Sequence, residues 1–181
     1  KKFIITAGIT VLTLGVLFGA YFFYTHFFIQ EPLSITLDNS ELIGKYQLDN
    51  NHKKPVLKLK LNRVGDLAGE FQYFLNNSSQ LLKEKDLQVE LFSNPNAKLL
   101  NFYQEINPTL YEVLSLNIFS DLQKELEVTN QQYDLSEIKL IISTGYLFLQ
   151  LEDNENYLYY ILNRDKDSYP EIINNIGSDM E

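Results

Sequence analysis

Hydrophobic and polar positions divide the chain into one long apolar run followed by short segments of period-two or helical spacing. The run FIITAGITVLTLGVLFGAYFFYTHFFI, from Phe3 to Ile29, has no permanently charged side chain. At about 1.5 Å per residue, roughly 20 helical residues cross a bilayer core about 30 Å thick. The run is long enough to span. It exceeds the apolar region of about 7–15 residues in a cleaved signal peptide, and Gly19-Ala20 leads into YFFYTHFF rather than a polar start. A single transmembrane signal anchor with short flanks is expected over residues 1–31. Lys1 and Lys2 precede the run, and Gln30, Glu31 and Pro32 come after it. The positive-inside bias then sets the N-terminus in the cytoplasm and the body outside. Tyr21, Phe22, Phe23, Tyr24, Phe27 and Phe28 gather at the outer end, where amphipathic rings suit the headgroup region.

In the body, Leu33, Ile35 and Leu37 of LSITLD alternate with polar residues and predict a strand. Ile43 to Leu48 and Val56 to Leu61 flank a polar connector, Asp49 to Pro55. Leu57, Leu59 and Leu61 alternate with Lys58, Lys60 and Asn62. After Arg63-Val64-Gly65-Asp66 the alternation resumes through Leu67, Gly69, Phe71, Tyr73 and Leu75. Two such runs around a short Gly-containing connector predict a hairpin over Leu57 to Asn76. A helix there would scatter its large apolar groups and enclose Gly69. Leu87, Val89 and Leu91 predict a further strand, and SNPN breaks the chain and caps the helical segment after it.

Ala97 to Val128 has helical spacing, first through Leu99, Phe102, Tyr103 and Ile106, then through Leu110, Val113, Leu114, Ile118, Leu122 and Leu126. Pro108 predicts either a helix pair or one kinked helix. Ile138 to Ser143, Tyr146 to Glu152 and Tyr157 to Asn163 are separated by Thr144-Gly145 and by Asp153 to Asn156, which predicts an antiparallel meander. Six to eight strands with an inserted helical segment give an α+β class, mainly antiparallel. The expected order is the anchor, an extracytoplasmic domain over residues 32–164 and a polar C-terminal tail over residues 165–181. A sheet curved around the helices is preferred to an open one.

Charge narrows the function classes. Of 15 Lys and Arg, 13 remain once Lys1 and Lys2 are set aside, against 24 Asp and Glu, so the body carries about −11. With no basic patch evident, such a surface repels phosphates and argues against nucleic acid and against an anionic bilayer surface. The absence of Cys removes disulfides, thiolate metal sites and Cys nucleophiles.

Catalytic chemistry finds little footing. His26 at the membrane edge reads as an interfacial polar residue, and His52 in DNNHKK lacks the companion of a metal-binding helix. Asn163, Asp165 and Asp167 imitate the start of a calcium loop. Ser168 then takes the turn-glycine place, and Asn174 the place of the bidentate Glu. There is no GxSxG, phosphate-cradling glycine loop or dinucleotide fingerprint. No catalytic residue, cofactor or metal site is assigned.

Gly15 and Gly19 form a GxxxG spacing that suits a helix–helix contact in the membrane. Tyr157, Tyr159 and Tyr160 crowd one segment and are candidate interface aromatics, since Tyr is enriched where proteins meet. These features favour a non-catalytic, membrane-anchored interaction or scaffold subunit of a membrane or envelope complex. Its partners would be membrane proteins, with the bilayer held through residues 3–29. The alternative is a membrane-tethered module whose curved sheet encloses a lipid or other apolar ligand. The placement of Ala97 to Val128 discriminates: helices filling the sheet's concave face leave no room for a ligand.

Overall fold

The computed structural model describes residues 2–25, 31–49, 54–84, 86–116, 119–165, 168–177 and 180. The chain divides into two units, Lys1–Asn39 and Ser40–Glu181. The first contains α1 (Lys2–Thr25) and α2 (Glu31–Asp38). Side chains of α1 are described over residues 10–21, and all are exposed. Among the described residues no helix is long and apolar enough to cross a membrane.

The strand expected at LSITLD is instead α2. Leu33 and Leu37 are four apart and share a helix face as readily as a strand face. Asn39 closes the helix, its backbone N–H and side-chain amide donating to Ile35 O at 3.2 and 2.8 Å.

The second unit is α+β with seven strands among the described residues, arranged in two sheets rather than one curved sheet. Sheet A has the order β1 (Ile43–Asp49), β2 (Val56–Leu61), β3 (Gln88–Phe92) and β7 (Ile172–Asn175). β1 and β2 pair antiparallel, while β2–β3 and β3–β7 are parallel. Parallel pairing demands a crossover, and α3 (Leu67–Glu84) supplies it between β2 and β3. The segment expected to be a polar tail therefore carries β7 into the sheet.

α3 overturns the expected hairpin at Leu57 to Asn76. Leu67, Phe71, Phe74, Ser78 and Leu82 recur at helical steps and are buried, whereas Tyr73 of the period-two pattern is 55% exposed. Asp66 caps the start, its carboxylate accepting from Gly69 N at 3.0 Å. Phe71 and Phe74 are fully buried, and each such side chain contributes about 1.5–3 kcal/mol of transfer free energy. That burial outweighs the cost of Gly69 within the helix, about 1 kcal/mol.

Sheet B is the expected meander: β4 (Glu137–Ile142), β5 (Tyr146–Asp153) and β6 (Asn156–Asn163), all antiparallel. Gly145, with φ 88°, makes the first turn, and Asn154, with φ 55°, the second. Both residue types tolerate the left-handed region. On one face, Leu147, Leu149, Leu151 and Leu158 join a core with Leu99, Phe102, Ile106 and Leu122. Those helical residues belong to α4 (Ala97–Leu116) and α5 (Phe119–Tyr133). On the other face, Phe148 meets Phe71 edge-on, with ring centroids 5.8 Å apart.

α4 runs through Pro108 without ending there. Ile106, Leu110 and Val113 are buried on both sides of it, and their continuous apolar face offsets the lost hydrogen bond. Asn96 caps α4 by accepting from Leu99 N at 2.9 Å, as SNPN suggested. The two sheets join where Asn94 and Tyr157 exchange backbone hydrogen bonds of 3.1 Å in each direction.

Candidate interaction edge and the buried polar network

Tyr157, Tyr159 and Tyr160, expected at an interface, are core residues, 8%, 2% and 5% exposed. Their hydroxyls are engaged within the molecule. Tyr157 donates to Leu61 O at 2.6 Å. Tyr159 Oη accepts from Val64 N at 2.8 Å and lies 3.0 Å from Val64 O. Tyr160 Oη lies 3.4 Å from Tyr111 Oη, and its ring packs on Tyr103 with centroids 5.0 Å apart. Burial pushes the phenol pKa of all three upward, and that of Tyr146 to about 12. Aromatic enrichment on a strand fits a buried surface as well as an interface.

Around Tyr159 lies a buried polar cluster. Gln150 and Glu152, 1% and 2% exposed, sit on the same face of β5 as Phe148. Glu152 Oε2 accepts from Arg63 Nε at 2.6 Å, and Glu152 Oε1 accepts from Gln150 Nε2 at 2.8 Å. Gln150 also accepts from Leu67 N at 3.2 Å and donates to Val64 O at 3.0 Å. Lys139 donates to Gly65 O at 2.9 Å. The network thus fixes the 62–66 loop and the start of α3 against sheet B, and its donors and acceptors are matched to one another. Its only trace in the sequence is a pair of polar residues two apart in YLFLQLED, an exception to the apolar run.

Asparagines and a carboxylate join other elements. Asn174 donates to Ile161 O at 2.7 Å and accepts from Ile161 N at 2.9 Å, so its amide substitutes for a strand neighbour. Asn163, which imitates a calcium ligand in the sequence, instead donates to Ser168 O and Pro170 O at 3.0 and 2.9 Å and accepts from Ile172 N at 3.0 Å. Asp167 lies outside the described residues, as do His26 and His52. Among the described residues no group of three or more His, Cys, Asp or Glu is placed to hold a metal. Asp153 accepts from Lys98 at 2.9 Å and from Asn96 at 2.8 Å. The lysine first, and the amide second, hold its carboxyl below the ordinary range.

Among the described residues, two surface grooves stand out. One, of about 570 Å³, is lined by Lys54, Asp86, Gln88, Arg164, Tyr169 and Glu171. Lys54 meets Asp86 at 3.1 Å, and Gln88 donates to Glu171 at 2.6 Å, so much of its polarity is matched internally. The other, of about 320 Å³, lies between α5 and β4 over Leu126, Ile138 and Leu140.

The exposed feature with directional chemistry is β1. It ends sheet A, with β2 as its strand neighbour, and Gly44, Lys45, Tyr46, Gln47 and Leu48 are all exposed. Tyr46 stands opposite Leu59, and Leu48 opposite Leu57. The two leucines are buried, yet Tyr46 and Leu48 on the same face remain 37% and 38% exposed. The apolar face thus continues past the end of its cover. On the other face Lys45 stands directly opposite Lys60. Along the sequence the body's acidic surplus is also uneven. Glu41 to Arg63 holds six Lys and Arg against two acids, and Val64 to Glu181 holds seven against twenty.

Gly15 and Gly19 lie on α1, and a methyl group added at either meets nothing within 4 Å. Compared with family models, with curated proteins and with solved structures, the chain gives no match in any of the three.

Proposed function

We propose that this chain is a non-catalytic, membrane-anchored interaction subunit of a membrane or envelope protein complex. The observation that carries the reading is β1, an edge strand with five consecutive exposed residues and a half-covered apolar face. An edge presents unpaired N–H and C=O groups, and proteins ordinarily blunt or cover such edges. A partner strand would complete the hydrogen bonding and cover Tyr46 and Leu48.

The apolar stretch from Phe3 to Ile29 serves as the anchor, with the N-terminus cytoplasmic and the second unit extracytoplasmic. Gly15 and Gly19 give it a face for another membrane helix. The buried polar groups support a structural rather than a catalytic role, because Gln150, Glu152 and Tyr159 are committed to the 62–66 loop. A pocket for an apolar ligand against sheet B is disfavoured, since side chains of α4 and α5 pack into the core on that face.

Native mass spectrometry of the full chain, extracted gently from its own membrane, tests the reading. Further protein subunits at fixed stoichiometry are expected, with fewer retained when Gly15 and Gly19 are both changed to Leu. A lone chain, bare or carrying a lipid-sized adduct, overturns it.

A further inference from the structure

We infer that the groove between α5 and β4 binds an extended peptide segment of another protein, which adds to sheet B as a strand beside β4 and sets a Lys or Arg against Glu127. The site is separate from β1, on the other sheet. β4 ends sheet B, with β5 as its strand neighbour. Ser143 N donates to Tyr146 O at 2.9 Å, so 143 and 146 form a hydrogen-bonded pair. Such pairs alternate along an antiparallel ladder. The backbone groups of Lys139 and Ile141 therefore turn toward β5, and those of Ile138, Leu140 and Ile142 turn outward. Among the described residues no backbone group pairs with the outward set.

The same three residues stand opposite Leu151, Leu149 and Leu147, so their side chains lie on the face covered by α4 and α5. Ile138 and Leu140 form one wall of the groove and Leu126 of α5 the other, around about 320 Å³. Ile142, next along that face, is 43% exposed. A small apolar ligand would fill the space without pairing the outward N–H and C=O groups. An extended backbone pairs with them at every second residue, while its alternate side chains enter the groove. Lysines often guard such edges against pairing. Lys139 does not guard this one, because its amine donates to Gly65 O at 2.9 Å and meets Glu137 at 2.8 Å.

Charge selects the segment. Glu127 and Glu137 line the groove, and among the described residues no Lys or Arg does. Glu137 is paired with Lys139. The Glu127 carboxylate has Gln123 as its partner, at 3.5 Å, and no cation among the described residues. Glu127 lies between Gln123 and Asn130 along the groove wall, so the cation belongs near the middle of the segment, with aliphatic residues on either side. Residues 136 to 142 extend over about 20 Å, which about seven residues of an added strand match.

Selection from a display library of random seven-residue peptides against the full chain tests the site. Peptides with aliphatic residues at alternate positions and a central Lys or Arg are expected. Recovery of no peptide, or of peptides without that alternation, overturns the proposal. One recovered peptide, synthesised and titrated by fluorescence anisotropy, then reads the backbone pairing. N-methylation of the alternate residues whose N–H faces β4 should weaken binding at least about tenfold, and N-methylation of the other set should not. Equal loss from both sets overturns strand addition.

Glu127 is exposed, so E127K does not disturb the core. This variant should bind the same peptide about threefold more weakly, and should prefer a version with Glu in place of the central cation. A peptide that keeps its preference for the cation in E127K is bound elsewhere, and the proposal fails. Failure here leaves the reading of β1 as it stands, because β1 belongs to sheet A.

Discussion

Two strands with nearly the same ending have opposite fates. β5 ends in Gln150-Leu151-Glu152-Asp153, and β1 ends in Gln47-Leu48-Asp49. In β5 every residue from Tyr146 to Asp153 is buried, whereas five consecutive residues of β1 are exposed. Gln150 bridges three backbone and side-chain groups in the core, and Gln47 faces solvent. Position in the sheet makes the difference. β5 lies between β4 and β6 with helices against both faces, while β1 closes sheet A. A polar side chain in the middle of a covered sheet must find partners inside it. The same side chain at an edge remains available to another molecule.

The contrast is most exposed to failure in the aromatic core. Phe148→Ala should cost about 3–5 kcal/mol, since a buried ring leaves a cavity, and chemical denaturation of the full chain measures it. A loss below about 1 kcal/mol would place the structural core elsewhere.

Glu152→Ala should cost about 2–3 kcal/mol by the same measurement. It leaves Gln150 without one acceptor, but Arg63, with its side chain 45% exposed, regains water. The cost therefore stays below the 3–5 kcal/mol of a fully buried broken pair. Tyr159→Phe leaves Val64 N without its acceptor and should cost about 1–3 kcal/mol. If it is silent, the 62–66 loop is held without this hydroxyl.

The buried and ion-paired groups also set two pH limits. The lowered pKa of Asp153 gives stability that is present above about pH 4, the unfolded carboxyl range. That stability is lost as pH falls through the folded value. An acid-unfolding series should show a shallower slope in Asp153→Asn. Tyr146 titrates at about 12 in the folded chain, against about 10 unfolded. Its contribution is present below about pH 10 and lost as pH rises toward 12. Tyr146→Phe should reduce the alkaline part of that dependence.

The smallest change in stability belongs to β1. Leu48→Ser should shift unfolding by no more than about 0.5 kcal/mol, measured by the same chemical denaturation. A destabilisation as large as that of Phe148→Ala would erase the distinction between the two strands.

The meander is legible because its turns are marked by Gly145 and by the polar Asp153 to Asn156. Helix α4 is legible through six apolar positions at helical spacing. Sequence and structure part where two periodicities coexist in one segment. Leu67 to Leu75 supports alternation, but Phe74, Ser78 and Leu82 continue only as a helix, and the Asp66 cap is the available clue. Pro108 signals a break by local propensity alone, which takes no account of the apolar face on either side of it. Three crowded tyrosines suit an interface and a core equally, because composition does not report which side of a strand is covered.

By itself the sequence determined the long apolar stretch near its start, the α+β class, the meander and the absence of cysteine. Each depends on composition or on spacing along one stretch of chain. The tertiary structure decided that Leu67 to Glu84 crosses over as a helix, that β7 joins β3, that Gln150 and Glu152 turn inward and that β1 is left as an edge. Those outcomes depend on which distant segments compete for the same apolar surface and the same hydrogen bonds, and local periodicity does not carry that information.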